Sequence, residues 1–191
     1  MTHESDRERW NRKYSAGEGP AHFSPKEFLV EHAHLLPDGG QALDVASGFG
    51  GNALWLAERG FHVDAVDVSD VAVEKARAEA ERRGLAERIR CIQADVEEWP
   101  VPPARYDVIL VFFYLNRGLM PRLAAGLRPG GLLFEANRNR RYLEERPDFD
   151  PNYLLEPGEL RRLAEEAGLA IVRYTDGTPD DPYAVRLIAR A

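Results

Sequence analysis

The sequence predicts a single doubly wound α/β domain, with a parallel sheet between helices and an antiparallel hairpin at one edge. Three observations predict this fold. Short apolar segments alternate with helix-like segments between residues 41 and 136, which is typical of successive βα units. The apolar run at 106–113 is too continuous for a half-exposed strand, so we expect a central strand covered on both faces. The last two strand-like segments have no helix between them and should pair antiparallel.

End signals place the elements in the first half of the chain. Ser24, Pro25 and Glu27 form a capping-box pattern, which predicts a helix with Ser24 as its N-cap that ends near residue 36. The elements predicted after it are a strand at 41–46, a helix at about 51–59, a strand at 61–67, a helix from 69 to 84 and a strand at about 89–93. These segments give the first three strands of the sheet.

The second half of the chain completes the sheet. The predicted elements after the strand at 106–113 are a helix near 119–127, a strand at 131–136, a helix at about 157–167 and hairpin strands at about 169–174 and 184–189. Two stretches, 1–23 and 137–153, have few regular signals and are expected to be loosely structured lids. In a doubly wound sheet they would lie near the carboxyl ends of the strands, where ligands bind.

Length, charge and apolar runs limit the classes of function. The 191 residues fit one domain, 1–191, and no apolar run is long enough to cross a bilayer, so we expect a cytoplasmic protein without a membrane partner. The net charge of −7 opposes general affinity for nucleic acid and favours a small-molecule partner. The five histidines lack metal-ligand spacing, so no metal site is expected. The sequence leaves the oligomeric state open.

A glycine turn after the first strand indicates a nucleotide-type cofactor. Gly48 and Gly50 let the backbone turn tightly and approach a ligand where a Cβ would collide. Asp67 ends the next strand, where its carboxylate can accept both hydroxyls of a ribose. The spacing also satisfies the G-x-G-x-x-A fingerprint of NAD-binding proteins. Asp44 in the first strand, Asp95 after the third and the lack of a second domain favour a different cofactor.

With these carboxylates in place, the chain resembles the class I S-adenosylmethionine-dependent methyltransferases along essentially its whole length. The matching motifs are residues 44–50, 63–69, 94–96 and 127–131. The resemblance implies a Rossmann-like seven-stranded sheet in the order 3-2-1-4-5-7-6. It also implies methyl transfer as the activity and S-adenosylmethionine as the cofactor, with S-adenosylhomocysteine as its product.

The resemblance also implies which residues contact the cofactor. The turn at 46–48 would contact the methionine part, Asp67 the ribose, and Asp95 with Val96 the adenine. An aromatic ring at the end of strand four, Phe112 or Tyr114, could shelter the sulfonium by a cation–π contact. The full set of expected cofactor-binding residues is Trp10, Tyr14, Asp44, Ala46, Ser47, Gly48, Phe49, Asn52, Asp67, Val68, Asp95, Val96 and Phe112.

Within this superfamily, residues 10–14, 43–57 and 114–117 look most like the tellurite-resistance and thiopurine-methyltransferase-like enzymes. Those enzymes act on small, often soft or anionic acceptors. One departure is that the usual Gly-Cys-Gly is Ala-Ser-Gly at 46–48, which narrows the room beside the methionine part. The residues expected to position the acceptor are Tyr114, Asn116 and Arg117.

Three functional hypotheses follow from the sequence. The leading one is a methyltransferase for a small-molecule acceptor, either a thiol or an oxyanion, and a soft anionic acceptor would need no general base. Arg138, Arg140 and Arg141 could attract an anionic acceptor. The alternatives are a non-catalytic cofactor-binding protein on the same fold and a small NAD-binding oxidoreductase module, which only the glycine fingerprint and Asp67 support.

Overall fold

The strands and helices of the protein follow the predicted alternation. The computed structural model describes residues 4–19 and 22–191. Among them, the strands are β1 (Gly40–Val45), β2 (Phe61–Asp67), β3 (Ile89–Gln93), β4 (Tyr106–Phe112), β5 (Leu127–Arg138), β6 (Ala170–Asp176) and β7 (Ala184–Arg190). The α-helices are α1 (Asp6–Ser15), α2 (Glu27–Glu31), α3 (Gly51–Ala57), α4 (Asp70–Arg82), α5 (Met120–Gly126) and α6 (Glu159–Glu166).

These strands form one seven-stranded sheet in the order β3-β2-β1-β4-β5-β7-β6. The pairs β1–β2, β2–β3 and β4–β5 are parallel, whereas β5–β7 and β6–β7 are antiparallel. The predicted doubly wound sheet, its C-terminal hairpin and its strand order are therefore confirmed. The chain divides into two compact units, Met1–Pro100 and Val101–Ala191.

In the first unit, apolar side chains cover the parallel strands. Leu43 on β1 and Val66 on β2 are fully buried, as are Leu56 on α3 and Ala72 on α4. Strands buried on both faces read as nearly continuous apolar runs, which is why the sequence predicted them well. Ser69 caps α4 as expected, since its hydroxyl accepts the N–H of Ala72 at 3.2 Å.

The N-terminal segment contains a helix that the sequence did not predict. We expected 1–23 to be loosely structured, but residues 6–15 form α1, and residues 1–3 and 20–21 lie outside the described part. Ser5 and Glu8 make a complete capping box, because the hydroxyl of Ser5 accepts the N–H of Glu8 and the Glu8 carboxylate accepts the N–H of Ser5. This capping-box pattern is visible in the sequence, but the many charged residues around it made the segment look loosely structured.

The predicted start of the second helix is wrong. Its N-cap is Lys26 rather than Ser24, it makes no side-chain cap, and it ends at Glu31 before a 3₁₀ turn at Ala33–Leu35. The N–H of Lys26 instead donates to Oδ1 of Asn52 at 2.8 Å, and the carbonyl of Ser24 lies against Gly51. These contacts with α3 hold residues 24–26 extended and override the local capping pattern.

The second unit contains β4 to β7 with α5 and α6. Strand β5 is longer than the predicted 131–136: Leu127 pairs with Tyr106 on β4, and residues 137–138 pair with β7. The register of the β4–β5 pair shifts between Tyr106 and Val108, and this shift accommodates the Arg-Pro-Gly-Gly sequence that was expected to form only a turn.

Residues 137–153, the second segment expected to be loosely structured, contain several ordered pieces. The first two residues belong to β5, and two 3₁₀ turns follow at Arg140–Glu144 and Pro151–Tyr153. Asn139 also forms an isolated parallel bridge with Leu155. Within the described residues, the longest apolar stretches of the helices fall short of what a membrane crossing requires.

Candidate functional site

The glycine turn after β1 has an unusual backbone conformation. Ala46, Gly48 and Gly50 have φ angles of 52°, 54° and 74°, in the left-handed region that glycine tolerates and alanine rarely adopts. The N–H of Ser47 donates to the carbonyl of Val66 at 3.0 Å, which ties the turn to β2. Local strain at Ala46 is therefore maintained by surrounding contacts, as is common at ligand sites.

Asp67 at the end of β2 holds the turn from the other side. It is 5% exposed; its Oδ2 accepts the N–H of Gly48 at 2.8 Å, and its Oδ1 accepts the N–H of Ser69 at 2.9 Å. Burial raises the pKa of this carboxyl group, and the two amide hydrogen bonds oppose that rise. Asp67 therefore lies beside the glycine turn, as the sequence predicted.

Asp44 is the second buried carboxyl group of the turn. It is 1% exposed and is held by the side chain of Asn52 and the N–H of Ala53. Burial raises its pKa to about 7, and the nearby charge of Asp67 contributes to the rise. Its Oδ2 has no hydrogen-bond partner in the part of the chain that the structure describes. A buried acceptor without a partner is costly, which suits a site that receives a donor from a ligand.

Helix α1 places aromatic residues on the glycine turn. The rings of Tyr14 and Phe49 have centroids 4.9 Å apart, and Trp10 lies 5.3 Å from Tyr14. A Cβ on Gly48 would come within 3.4 Å of the Tyr14 hydroxyl, so this phenol lies directly over the turn. Burial and the charge of Asp67 both raise the pKa of Tyr14, which therefore remains a neutral hydrogen-bond donor. The ammonium of Lys75 lies 4.4 Å from the centre of the Phe49 ring.

A chain of hydrogen bonds that sequence reasoning missed joins α1 to Asp67. The hydroxyl of Ser69, whose amide donates to Asp67, donates to Oδ1 of Asn11 at 2.6 Å. Asn11 in turn donates to Asp70 at 2.9 Å, and Arg7 makes a two-pronged ion pair with Asp70. The sequence feature that could have revealed these bonds is the position of Asn11, one helical turn after Arg7, on an amphipathic segment.

The adenine-side residues lie after β3. Val96 is buried, whereas Asp95 is exposed and its Oδ1 accepts the N–H of Glu97 at 2.9 Å. The N–H of Ala94 donates to the carbonyl of Asp67 at 3.0 Å, which joins this loop to the end of β2. Val68, half-buried, accepts a hydrogen bond from Gln93 at its carbonyl. The structure therefore brings Asp67, Val68 and the start of this loop together.

The predicted acceptor residues lie after β4 in the second unit. Phe112 is buried, and Phe113 is 48% exposed with a φ of 58°, so the chain turns sharply there. Tyr114 and Asn116 are half-buried, and both line a small cavity. Oδ1 of Asn116 accepts the N–H of Gly118 at 2.9 Å and starts a 3₁₀ turn.

Arg117 has a structural network of its own. Its guanidinium donates to Glu159 at 2.6 and 3.1 Å and to the carbonyls of Asn152 and Leu154 at 2.9 and 3.0 Å. These bonds fix residues 152–154 to the start of α6. The loop arginines also have carboxylate partners, namely Asp181 for Arg138, Glu156 for Arg140 and Glu144 for Arg141.

Glu135 on β5 is a candidate functional residue that the sequence analysis missed. It is 4% exposed and lines the same cavity as Tyr114 and Asn116. Asn137 donates to its Oε1 at 3.0 Å and to the carbonyl of Tyr114 at 3.2 Å. Burial raises the pKa of Glu135 to about 8. The signal that could have found it is a single acidic residue inside the apolar run at 132–136.

Comparison with known proteins agrees with this geometry. Residues 42–131, which include both buried carboxyl groups and the glycine turn, match the profile of a family described as a methyltransferase domain. The matched segment is just under half of the 191-residue chain. It contains β2 and β3 and the glycine turn, for which the sequence analysis expected S-adenosylmethionine.

The chain is similar to several methyltransferases at low sequence identity. A sarcosine/dimethylglycine N-methyltransferase of Aphanothece halophytica is 29% identical, with 74% of this chain and 56% of that protein covered. A tRNA 5-carboxymethoxyuridine methyltransferase of Escherichia coli K12 is 27% identical, with 75% and 64% covered. The chain therefore spans less than two thirds of the length of either relative. A solved structure from work on converting a disulfide bond into a thioacetal group during echinomycin biosynthesis superposes with a TM-score of 0.78 at 22% identity, covering 97% of this chain and 91% of that one.

The chemistry of the glycine turn fits S-adenosylmethionine, which carries a sulfonium and an ammonium beside a ribose diol. Asp44 and Asp67 make the turn acidic, and a cation nearby would lower the pKa of Asp44 and restore its charge. The partnerless Oδ2 of Asp44 offers an acceptor there. Among the described residues, no group of three or more potential metal ligands occurs.

Proposed function

We propose that this protein is an S-adenosylmethionine-dependent methyltransferase that acts on a small-molecule acceptor. The observation that carries the proposal is the glycine turn in left-handed backbone conformation, with Asp67 bound to the amide of Gly48 at 2.8 Å and Asp44 buried behind it. The turn lies within the matched methyltransferase domain at 42–131.

In this proposal S-adenosylmethionine supplies an activated methyl group on its sulfonium, and the first unit holds it. The backbone of 46–48 contacts the methionine part, Asp67 contacts the ribose, and Asp95 with Val96 contacts the adenine. Trp10, Tyr14 and Phe49 form an aromatic wall over the turn. Asn52 orients Asp44, and Val68 completes the binding set of the first unit. Phe112, on β4 in the second unit, stays a prediction from the sequence.

The second unit would hold the acceptor. Tyr114 and Asn116 line a cavity, and Arg117 positions the adjoining segment through its bonds to residues 152 and 154. The contribution of these residues is to hold the reacting atom about 3–3.5 Å from the methyl carbon and to exclude water, which can lower a barrier by roughly 7–11 kcal/mol. Residues 1–23 and 137–153 remain our candidates for lid segments of a single domain, 1–191.

The acceptor of the methyl group is proposed from the family resemblance and from the charges of the chain. The resemblance to tellurite-resistance and thiopurine-methyltransferase-like enzymes favours a soft or anionic acceptor, a thiol or an oxyanion. The arginines that could attract an anion, Arg138, Arg140 and Arg141, each pair with a carboxylate, which reduces the support for the anionic branch. A small molecule is favoured over RNA by the net charge of −7, although one relative acts on tRNA.

The first experiment is a calorimetric titration of the purified protein with S-adenosylhomocysteine, with NADH titrated in parallel. We expect micromolar binding of S-adenosylhomocysteine alone. Binding of NADH alone would overturn the proposal and revive the oxidoreductase alternative. If S-adenosylhomocysteine binds, incubation with methyl-labelled S-adenosylmethionine and thiol, oxyanion, amine and hydroxyl acceptors separates an enzyme from a non-catalytic binding protein.

A further inference from the structure

The cavity beside Glu135 lies entirely within the second unit. It is bordered by Tyr114 and Asn116 after β4, by Leu119 and Met120 at the start of α5, and by Glu135 on β5. Its volume is ≈ 10 Å³, which admits about one water-sized group. Apart from Glu135, Tyr114 and Asn116, the walls are apolar.

Glu135 is a deeply buried acid with spare bonding capacity. Asn137 donates to Oε1, and Oε2 makes no hydrogen bond to any residue that the structure describes. Because Asn137 also bonds the carbonyl of Tyr114, it fixes the carboxyl group relative to the chain after β4. An acid in an apolar surrounding without a cationic partner is an incomplete pair.

We propose that this cavity binds the protonated amine of a small aliphatic ligand, with Glu135 as its counter-ion. An ammonium group is close to water in size, carries only hydrogen-bond donors and matches the free acceptor at Oε2. The ammonium group would fill the cavity, and the carbon chain attached to it would extend out of the cavity. The inference rests on the proposed function in one respect, namely that the bound ammonium anchors the acceptor molecule, whose reacting atom is a different, nucleophilic atom of that molecule.

The protonation state of Glu135 makes the binding reaction distinctive. Burial raises its pKa to about 8, so without a cationic partner the carboxyl group is mostly neutral at pH 7. Binding of R–NH₃⁺ converts Glu–COOH into Glu–COO⁻ and releases that proton to solvent, so that charge and atoms balance. A carboxylate ligand would instead require the acid to remain protonated. Tyr114 is the other titratable side chain at the cavity wall.

The experiment uses a reporter that the sequence provides. The chain contains two methionines, Met1 and Met120, and Met120 lines the cavity. Protein labelled with ¹³C at the methionine methyl groups is titrated at pH 7 with n-propylammonium, propionate and n-propanol, which share a stem and differ in the head group. We expect a saturable shift of the Met120 signal with n-propylammonium and at least tenfold weaker effects with the other two.

Two variants complete the test. Glu135→Gln keeps the shape and removes the charge, and it should weaken n-propylammonium binding at least tenfold. The matched control Glu165→Gln, an exposed residue paired with Arg161 on α6, should leave binding unchanged. Equal shifts from propionate or n-propanol, no shift from n-propylammonium, or full binding by Glu135→Gln would each overturn the inference. S-adenosylhomocysteine affinity is measured on the same samples, so that loss of the cofactor site and loss of the amine site are distinguished.

Discussion

At the scale of single residues, Asp67 is the strongest candidate for cofactor recognition. Asp67→Asn replaces one carboxylate oxygen by an NH₂ group that must face the amide of Gly48 or Ser69, so a donor meets a donor. We expect S-adenosylhomocysteine affinity to fall at least tenfold, about 1.4 kcal/mol, in calorimetry. Asp148→Asn, at an exposed loop position, is the control. Unchanged affinity in Asp67→Asn would remove this residue from the site.

Asp44 predicts a pH dependence of stability. Its folded-state pKa of about 7 lies above its unfolded value of 3.8, so the folded chain keeps a proton that the unfolded chain has released. Its stabilising contribution is complete below pH 4 and is lost as the pH rises through 7. Asp44→Asn stays neutral, and its free energy of unfolding relative to wild type should therefore rise by roughly 2–4 kcal/mol between pH 4 and 8.

Urea unfolding of both proteins across this pH range measures the difference. Subtracting the two curves cancels other titrating groups, including Glu135. A flat difference curve would mean that Asp44 stays ionised in the folded chain. Asp44→Asn should also bind S-adenosylhomocysteine more weakly, because the ligand loses an anionic partner at the turn.

The sequence was informative about residues whose role is local. Gly48, Gly50 and Asp67 could be placed beside one another because parallel strands end at the same edge of a sheet. The free oxygen of Asp44 and the cavity at Glu135 could not be found in this way. Both depend on how completely residues that are distant in sequence exclude water from these carboxyl groups. A local sequence pattern does not contain that information.

At the scale of elements, α1 is predicted to be held in place by Asn11. This residue joins α1 to Ser69 and Asp70, next to Asp67, whereas the Arg12 side chain bonds to Glu4 at the N-terminus. Asn11→Ala should therefore increase hydrogen exchange of the α1 amides several-fold and weaken S-adenosylhomocysteine binding. Arg12→Ala should do neither, because exposed ion pairs contribute about 0–1 kcal/mol. If both variants changed hydrogen exchange and S-adenosylhomocysteine affinity equally, α1 would not be coupled to the cofactor site through Asn11.

Element boundaries show where sequence patterns lose to tertiary contacts. The capping box at 24–27 is locally sound, yet Asn52 captures the amide of Lys26 and the helix starts later. Strand β5 extends beyond its apolar residues because β4 and β7 supply backbone partners on both sides. The predicted boundaries of β2 and β3 are confirmed, and each strand ends at a polar residue, Asp67 or Gln93.

At the scale of the whole molecule, charge distinguishes between acceptor classes. The chain has 25 Lys and Arg against 32 Asp and Glu. In the described residues, many arginines lie within ion-pair distance of a carboxylate, including Arg7, Arg117 and Arg138. Phosphate groups would have to displace those carboxylates to reach the arginines. The net negative charge also repels a polyanion, so we expect weak binding of nucleic acid.

We therefore predict that the protein does not bind unmodified tRNA at 150 mM salt, with or without S-adenosylhomocysteine. Non-specific protein–nucleic acid complexes at physiological salt have a Kd of about 10⁻⁴–10⁻⁶ M, driven by the release of counterions. We expect the Kd of this protein for tRNA to be about 10⁻⁴ M or weaker. Fluorescence anisotropy with labelled tRNA measures the Kd. Repeating the titration at about 20 mM salt tests whether a local basic patch binds the RNA, because such binding would strengthen steeply as the salt concentration falls. A Kd below 10 μM at 150 mM salt would instead favour an RNA acceptor. It would also mean that a local basic surface binds the RNA despite the negative net charge.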